Sequence, residues 1–146
     1  MGASTALQYA AIDNQISYIV SDCAFESLYT QFGDRLKVDY KLPPIPILLF
    51  ADLASKILTG ANYSSISPIK NIKEISIPIL FIHGDCDNYT DHNQTINMYN
   101  KKQGYKELYI AKGANHAESI LVDKKLYTEA IHSFLNNIKP KNEKVG

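Results

Sequence analysis

The stretch Ile77 to Asp87, IPILFIHGDCD, constrains this chain more than any other. Ile77 to Ile82 is a short apolar run with Pro78 near its start and His83-Gly84 at its end. A run of that length and composition reads as a strand buried on both faces, the habit of central strands in parallel sheets, where helices cover both sides. Asp85 and Asp87 follow on the turn leaving its carboxyl end. In open α/β sheets that edge is where ligands bind and chemistry is placed. Downstream, KELYIA (Lys106–Ala111) reads as another strand and runs into a loop carrying His116. A carboxylate and an imidazole thus each follow a strand, acid before base in chain order.

The rest of the chain alternates around these strands. Gly2 to Ile12 has helical spacing of Leu7, Ala10 and Ala11, and its small residues let a helix pack close to a sheet. Ile16 to Val20 reads as a further strand. Residues 25–75 change character: Leu28, Phe32, Leu36 and Tyr40 recur at helical spacing, Pro43, Pro44 and Pro46 punctuate, and a second helix over Ile47–Leu58 stops at Thr59-Gly60. Ser64 to Pro68 reads as a loop. This insertion has the look of a lid, the alternative being a plain crossover with an elaborate helical layer. Asp91 to Lys102 reads as a crossover helix with Asp91 as N-cap and Gly104 as stop. Asp123 to Ile138 reads as the closing helix, with Leu126, Ala130, Phe134 and Ile138 every four residues, backed by Tyr127, Ile131 and Leu135. Residues 139–146 (KPKNEKVG) form a polar tail after a single domain over 1–138. The order predicts an α/β fold, a three-layer α/β/α sandwich on a parallel sheet.

Composition excludes several functions. At 146 residues the chain holds one domain. Fifteen basic and fifteen acidic residues cancel, which leaves no electrostatic footprint for nucleic acid. Cys23 and Cys86 lie far apart, with no CxxC pair and no His at ligand spacing, so neither a disulfide framework nor a metal site is expected, and a reducing, cytoplasmic setting is. No basic n-region leads an apolar h-region, so no signal peptide is expected. The longest apolar stretch, Ile45 to Leu58, contains Asp52 and Lys56 and is too short for a span, so no membrane partner is expected.

MGASTAL, SDCAFESL, KLPPIPIL, SPIKNI, PILFIHGDCD, KELYIAKGANHAES and LYTEAIHSFL, in this order and spacing, resemble the C-terminal half of an α/β-hydrolase. The likeness is to the bacterial branch related to serine aminopeptidases and prolyl-oligopeptidase-like esterases. The resemblance implies a partial α/β-hydrolase fold with a helical lid over 25–75, a serine hydrolase acting on small-molecule ester or amide bonds, and no cofactor. It maps the triad acid of HGxxD onto Asp87 and the base of G-x-x-H-A onto His116. Asp85 is the competing acid, and the family spacing favours Asp87. His83 is expected to be structural, opening the turn after its strand; His92 and His132 have no motif support.

The family's nucleophile sits on a strand-to-helix elbow, G-x-S-x-G. Met1-Gly2 align with the last two elbow positions, which places the serine before Met1 and leaves the chain with the acid and base alone. Gly2-Ala3-Ser4-Thr5-Ala6 imitates a variant elbow, but no strand precedes it to strain the turn, so Ser4 is expected on the first turns of a helix. Removing the serine of a triad costs about a million-fold in turnover. The chain by itself is therefore expected to be inactive. Two alternatives remain beside the hydrolase reading: a non-catalytic remnant, or a module whose open sheet edge binds a partner chain. A flavodoxin-like binding domain is weaker, because no Gly-rich phosphate loop is present. A sheet lacking the family's preceding strands would expose Leu7 on the first helix and leave a strand edge beside Ile16, Tyr18 and Val20 open to self-association.

Overall fold

The computed structural model describes residues 1–13 and 15–138, so the polar-tail expectation for 139–146 lies outside the described residues. The central strand reaches from Ile79 to Gly84 (β2) and is buried at every position. It pairs in parallel with Ile19–Asp22 (β1) on one side and with Lys106–Ala111 (β3) on the other. The sheet order is β1-β2-β3.

The continuous apolar run follows from two covered faces. Ile79 and Phe81 point into a cluster with Leu7, Ile19, Ile72, Ile75 and Met98, beneath the helices Gly2–Ala10 (α1), Pro68–Asn71 (α4) and His92–Lys101 (α5). Leu80 and Ile82 point the other way, into Phe134, Tyr127 and Ile131 of the helix Lys124–Ile138 (α7). Successive strand side chains therefore meet opposite helical layers, and the three-layer α/β/α architecture follows.

β1 lies further along the chain than the apolar run Ile16–Val20 suggests. Pro78 has no N–H to donate; its carbonyl accepts from Ile19, and the ladder opens with Ile19 opposite Ile79. Asp22 is thereby drawn into the strand as its last residue. A further difference concerns Leu7, which is fully buried rather than exposed. Ala3, Ala10 and Ala11 are small enough to bring α1 down onto the strands, and α4 closes over its other side. The surface that α1 does expose is Tyr9 together with Ile12 just beyond its end.

Between β1 and β2 lie the helices Leu28–Tyr40 (α2) and Pro44–Thr59 (α3), a turn of 3₁₀ helix at Tyr63–Ser65, and α4. Ser27 caps α2 by accepting from Thr30 N. Gly60, with φ +78°, ends α3 in the left-handed conformation that a glycine adopts at no steric cost. Within α3 the backbone at Ile45 is non-helical, so regular helix begins where the proline punctuation suggests. Leu49, Phe50, Leu53 and Ile57 stand on its solvent side. The segment Ser64–Pro68 is only partly a loop, since it holds the 3₁₀ turn and the start of α4. A one-turn helix, Ser119–Val122 (α6), precedes α7. The inward stripe of α7 runs through Tyr127, Ile131, Phe134, Leu135 and Ile138, with Leu126 half exposed.

One contact sets the spacing of the loops at the sheet's carboxyl edge. A Cβ added to Gly84 would lie 2.2 Å from the Ala114 carbonyl oxygen and 2.9 Å from its Cβ. Only a residue without a side chain lets the loop after β3 approach β2 so closely, and Cys86 N donates to the same Ala114 oxygen at 3.1 Å. Gly84→Ala is expected to destabilise the chain by about 1–3 kcal/mol, the usual cost of overpacking. Urea unfolding measures that loss, and a displaced His116 resonance would report the shifted loop.

Candidate functional site

Asp87 and His116 meet at the carboxyl edge. Asp87 lies on the turn between β2 and α5; His116 lies on the loop between β3 and α6. His116 Nδ1 is 2.7 Å from Asp87 Oδ2. The carboxylate is buried, while the imidazole is about a third exposed, at 34%. Ala117 follows His116 in the left-handed region, with φ +59°, and its N–H donates to Cys23 Sγ at 3.4 Å. That turn carries the chain from the site into α6, where the Ser119 hydroxyl donates to Asp22 Oδ1 at 3.4 Å.

The carboxylate is saturated with donors. Oδ1 accepts from the backbone N–H groups of Tyr89 (2.9 Å) and Thr90 (2.8 Å), the short-range turn an aspartate makes with the chain just ahead of it. Oδ2 lies 2.9 Å from His83 Nε2 as well as against His116. Burial alone would raise the Asp87 pKa. Hydrogen bonds from His83, Thr90, His116 and Tyr89 outweigh that desolvation and hold it well below the usual carboxylate range. Asp87 is therefore ionised through the neutral range.

The neighbours order themselves around this pair. Tyr89 packs against the His116 ring with centroids 5.0 Å apart, and the Arg35 guanidinium lies 5.0 Å from the other ring partner, the Tyr89 centroid. Arg35 Nη2 also donates to Asn88 O at 2.9 Å, and Gln31 Nε2 to Tyr89 O at 2.8 Å. Two side chains of α2 thus clamp the Asp87 turn, and a groove of about 260 Å³ opens between Asp34, Arg35, Val38, Asp87 and Tyr89. Asp85, the competing acid, is exposed and accepts from Gly113 N at 2.6 Å; that bond lowers its pKa, and its carboxylate makes no hydrogen bond to His116. His92 lies beside Asp91 and His132 is exposed on α7.

Ser4 sits on the first turn of α1 and is buried. Its hydroxyl donates to Phe25 O at 3.1 Å and accepts from Phe25 N at 2.9 Å. Both valences serve to join α1 to the segment after β1. Cys23, His83 and Asp87 bring a sulfur, a nitrogen and an oxygen within 4.8 Å of one another, a geometry that could in principle grip a metal. Both ring nitrogens of His83 are already hydrogen-bonded, and burial pushes the Cys23 thiol up to about 12, so the trio is a hydrogen-bonded cluster and not a set of free donors. His83, expected to be structural, is the penultimate residue of β2, fully buried, and in direct contact with Asp87, a contact that no motif in the sequence marks.

Comparison with solved structures gives the same architecture. An acylaminoacyl peptidase of Pyrococcus horikoshii superposes over 99% of this chain and 24% of its own, with a TM-score of 0.70 and 17% identity. The fold is that of the α/β-hydrolases. A Pyrococcus furiosus esterase matches 92% of this chain and 50% of its own with a TM-score of 0.66 and 17% identity. Acetyl xylan esterase 1 from a Thermoanaerobacterium matches 95% and 43% with a TM-score of 0.63 and 15% identity. In sequence, the uncharacterized protein YqkD of Bacillus subtilis is 36% identical over 145 residues, which is 98% of this chain and 48% of YqkD. The chain thus spans about half the length of the curated relative it matches. No protein-family model matches it. No single helix among the described residues is long and apolar enough to cross a membrane.

The depressed Asp87 pKa has a thermodynamic sign. In the unfolded chain the carboxyl takes a proton near the ordinary value of about 3.9, while in the folded chain it resists protonation. Its contribution to stability is therefore complete above about pH 4 and is lost as pH falls toward the folded value. Urea unfolding followed between about pH 6 and pH 2.5 should show the parent losing stability more steeply below about pH 4 than Asp87→Asn does, by up to one proton's worth of slope. Equal slopes would mean that Asp87 is not held as an anion.

Proposed function

We propose that this chain carries the acid and base of a serine hydrolase that cleaves ester or amide bonds, in the branch related to serine aminopeptidases and prolyl-oligopeptidase-like esterases. Asp87 is the acid, His116 the base, and the nucleophilic serine comes from residues outside this chain. The observation that carries the reading is the 2.7 Å contact from His116 Nδ1 to a buried carboxylate whose pKa is held low, with no hydrogen bond to Nε2 among the described residues. A base needs that arrangement. Nδ1–H pointing at the carboxylate leaves the Nε2 lone pair for a hydroxyl proton, and the carboxylate stabilises the imidazolium formed when the proton arrives. The same Nε2–H then protonates the leaving alkoxide or amine. Ser4 is a poor nucleophile because both valences of its hydroxyl are held by Phe25. The helical segment over 25–75 serves as a lid, and the contacts of Gln31 and Arg35 with the Asp87 turn seat it beside the pair. The step as written uses no cofactor.

The outer edge of β1, paired with nothing among the described residues, favours a second reading in which the chain binds a partner strand or another copy of itself without catalysis. One experiment separates the two. The chain alone should show no labelling by a fluorophosphonate probe and no turnover of p-nitrophenyl acetate. Mixed or co-expressed with the part of YqkD that it does not match, it should acquire both, and His116→Ala should then cost on the order of 10⁴–10⁶ in turnover. A stable complex that neither labels nor turns over would favour the binding reading. Labelling of Ser4 in the chain alone would overturn the placement of the nucleophile.

A further inference from the structure

The imidazole of His83 stands directly behind the Asp87–His116 pair, and its surroundings determine where its proton lies. Nε2 is 2.9 Å from Asp87 Oδ2 and 3.0 Å from Thr90 O, two oxygens that only accept hydrogen bonds. A bare lone pair on Nε2 would face both, so Nε2 carries hydrogen. Nδ1 is 2.7 Å from Thr95 Oγ1, which in turn is 3.2 Å from Ala24 O. A hydroxyl both donates and accepts, so Thr95 satisfies Nδ1 in either of its protonation states. Thr95 itself is buried on α5, and Ala24 follows the end of β1. The ring is thereby held by Asp87, Thr90 and Thr95 and is fully buried.

We propose that His83 is a positioning residue for the acid–base pair, its Nε2–H fixing Asp87 Oδ2 and sharing that oxygen with His116. Two imidazoles then converge on one oxygen, at 2.9 Å and 2.7 Å. The hydrogen bond from His83 holds Oδ2 where His116 Nδ1 meets it. It also draws off part of the negative charge that would otherwise act on His116 alone. The proposal rests on the reading of Asp87 and His116 as acid and base. Other groups facing the cluster are few. The Cys23 sulfur is close to both His83 and Asp87 and stays a thiol, since burial pushes it up to about 12, and Asp22 faces that sulfur at 3.2 Å. On the outer side, Tyr89 lies against His116, with Arg35 on the Tyr89 ring.

Imidazole ¹⁵N NMR on the 146-residue chain tests this without any nucleophile present. In the parent protein, His83 Nε2 should bear its proton throughout about pH 5 to pH 9, a range spanning the ordinary histidine value. A tautomer with the proton on Nδ1 alone would overturn the proposal, whatever any variant does. His83→Phe keeps a ring in the core and removes the donor, so the His116 titration should move up by roughly 0.5–1 pH unit, the equivalent of one net hydrogen bond. His83→Gln, whose amide donates from nearly the position of Nε2, should bring it most of the way back. A residue that only fills space would be served better by Phe than by Gln. Folded Phe and Gln variants with an unchanged His116 titration would therefore sink the idea. Absence of hydrolase activity in the supplemented protein would sink the functional reading and leave the titration result standing, so the two failures are distinguishable.

Discussion

The buried carboxylate of Asp87 is the interaction on which the site depends. An ionised group taken out of water is costly unless donors replace the lost solvent. Here the donors come from three structural elements: the Tyr89 and Thr90 amides of its own turn, His83 from the strand before it, and His116 from the loop after β3, 29 residues further on. Each brings a different element to the same oxygen atoms. The turn must fold back on itself, β2 must present His83 toward the turn, and the β3 loop must come close enough to deliver His116. The absence of a side chain on Gly84 permits that last approach, with the Ala114 carbonyl seated where a Cβ would be. Chemistry and packing are the same constraint at this edge.

The helices between β1 and β2 are tied to that edge through polar contacts and a stack. Gln31 and Arg35 donate to backbone oxygens of Tyr89 and Asn88, and Arg35, Tyr89 and His116 form a layered series of cation, ring and ring. Because Tyr89 also gives its N–H to Asp87, α2 is linked through it to both Asp87 and His116. The next helix, α3, packs on α2 through Leu48 and turns Leu49, Phe50, Leu53 and Ile57 to solvent. An apolar face of that extent is unusual on a lone surface helix. It lies on the segment that the proposed function treats as a lid.

Much of this was legible in the sequence, and the misses have physical causes. β2 was readable because both faces are covered, so Ile79 to Ile82 are apolar without alternation. The meeting of Asp87 and His116 at the carboxyl edge was readable because each follows a strand at a spacing the family resemblance also marks. The start of β1 was not, because it is fixed by Pro78, just ahead of a strand far along the chain, and not by any pattern near Ile16. Leu7 was misjudged for a similar reason: α4 and Ile72 cover it, and a four-residue helix leaves little periodicity to detect. α6 escaped notice because a single turn held by Ser119 to Asp22 depends on a contact 97 residues away. His83 shows the limit most plainly. Its residue type and position were visible, yet its role depends on Thr90 and Thr95, whose placement only the folded turn and α5 reveal.

The direction of α1 bears on where a nucleophile could stand. Ser4, on its first turn, bonds to Phe25 just after the carboxyl end of β1, while Tyr9 to Asp13 line a cleft with Glu74, Ser76 and Ile77 just ahead of β2. The helix therefore runs from the carboxyl edge of the sheet to the amino edge, antiparallel to the strands, with its amino end on the side of Asp87 and His116. That end carries the partial positive charge of the helix and its unpaired N–H groups. A hydroxyl on the turn leading into α1 would stand at that positive end, on the same edge as the open Nε2 of His116, and an oxyanion forming there would meet helix N–H groups. Ser4 lies one turn too deep for this and faces inward. Under the proposed function, a group at the very entrance of α1 is the one that would approach His116, the position a strand-to-helix elbow supplies.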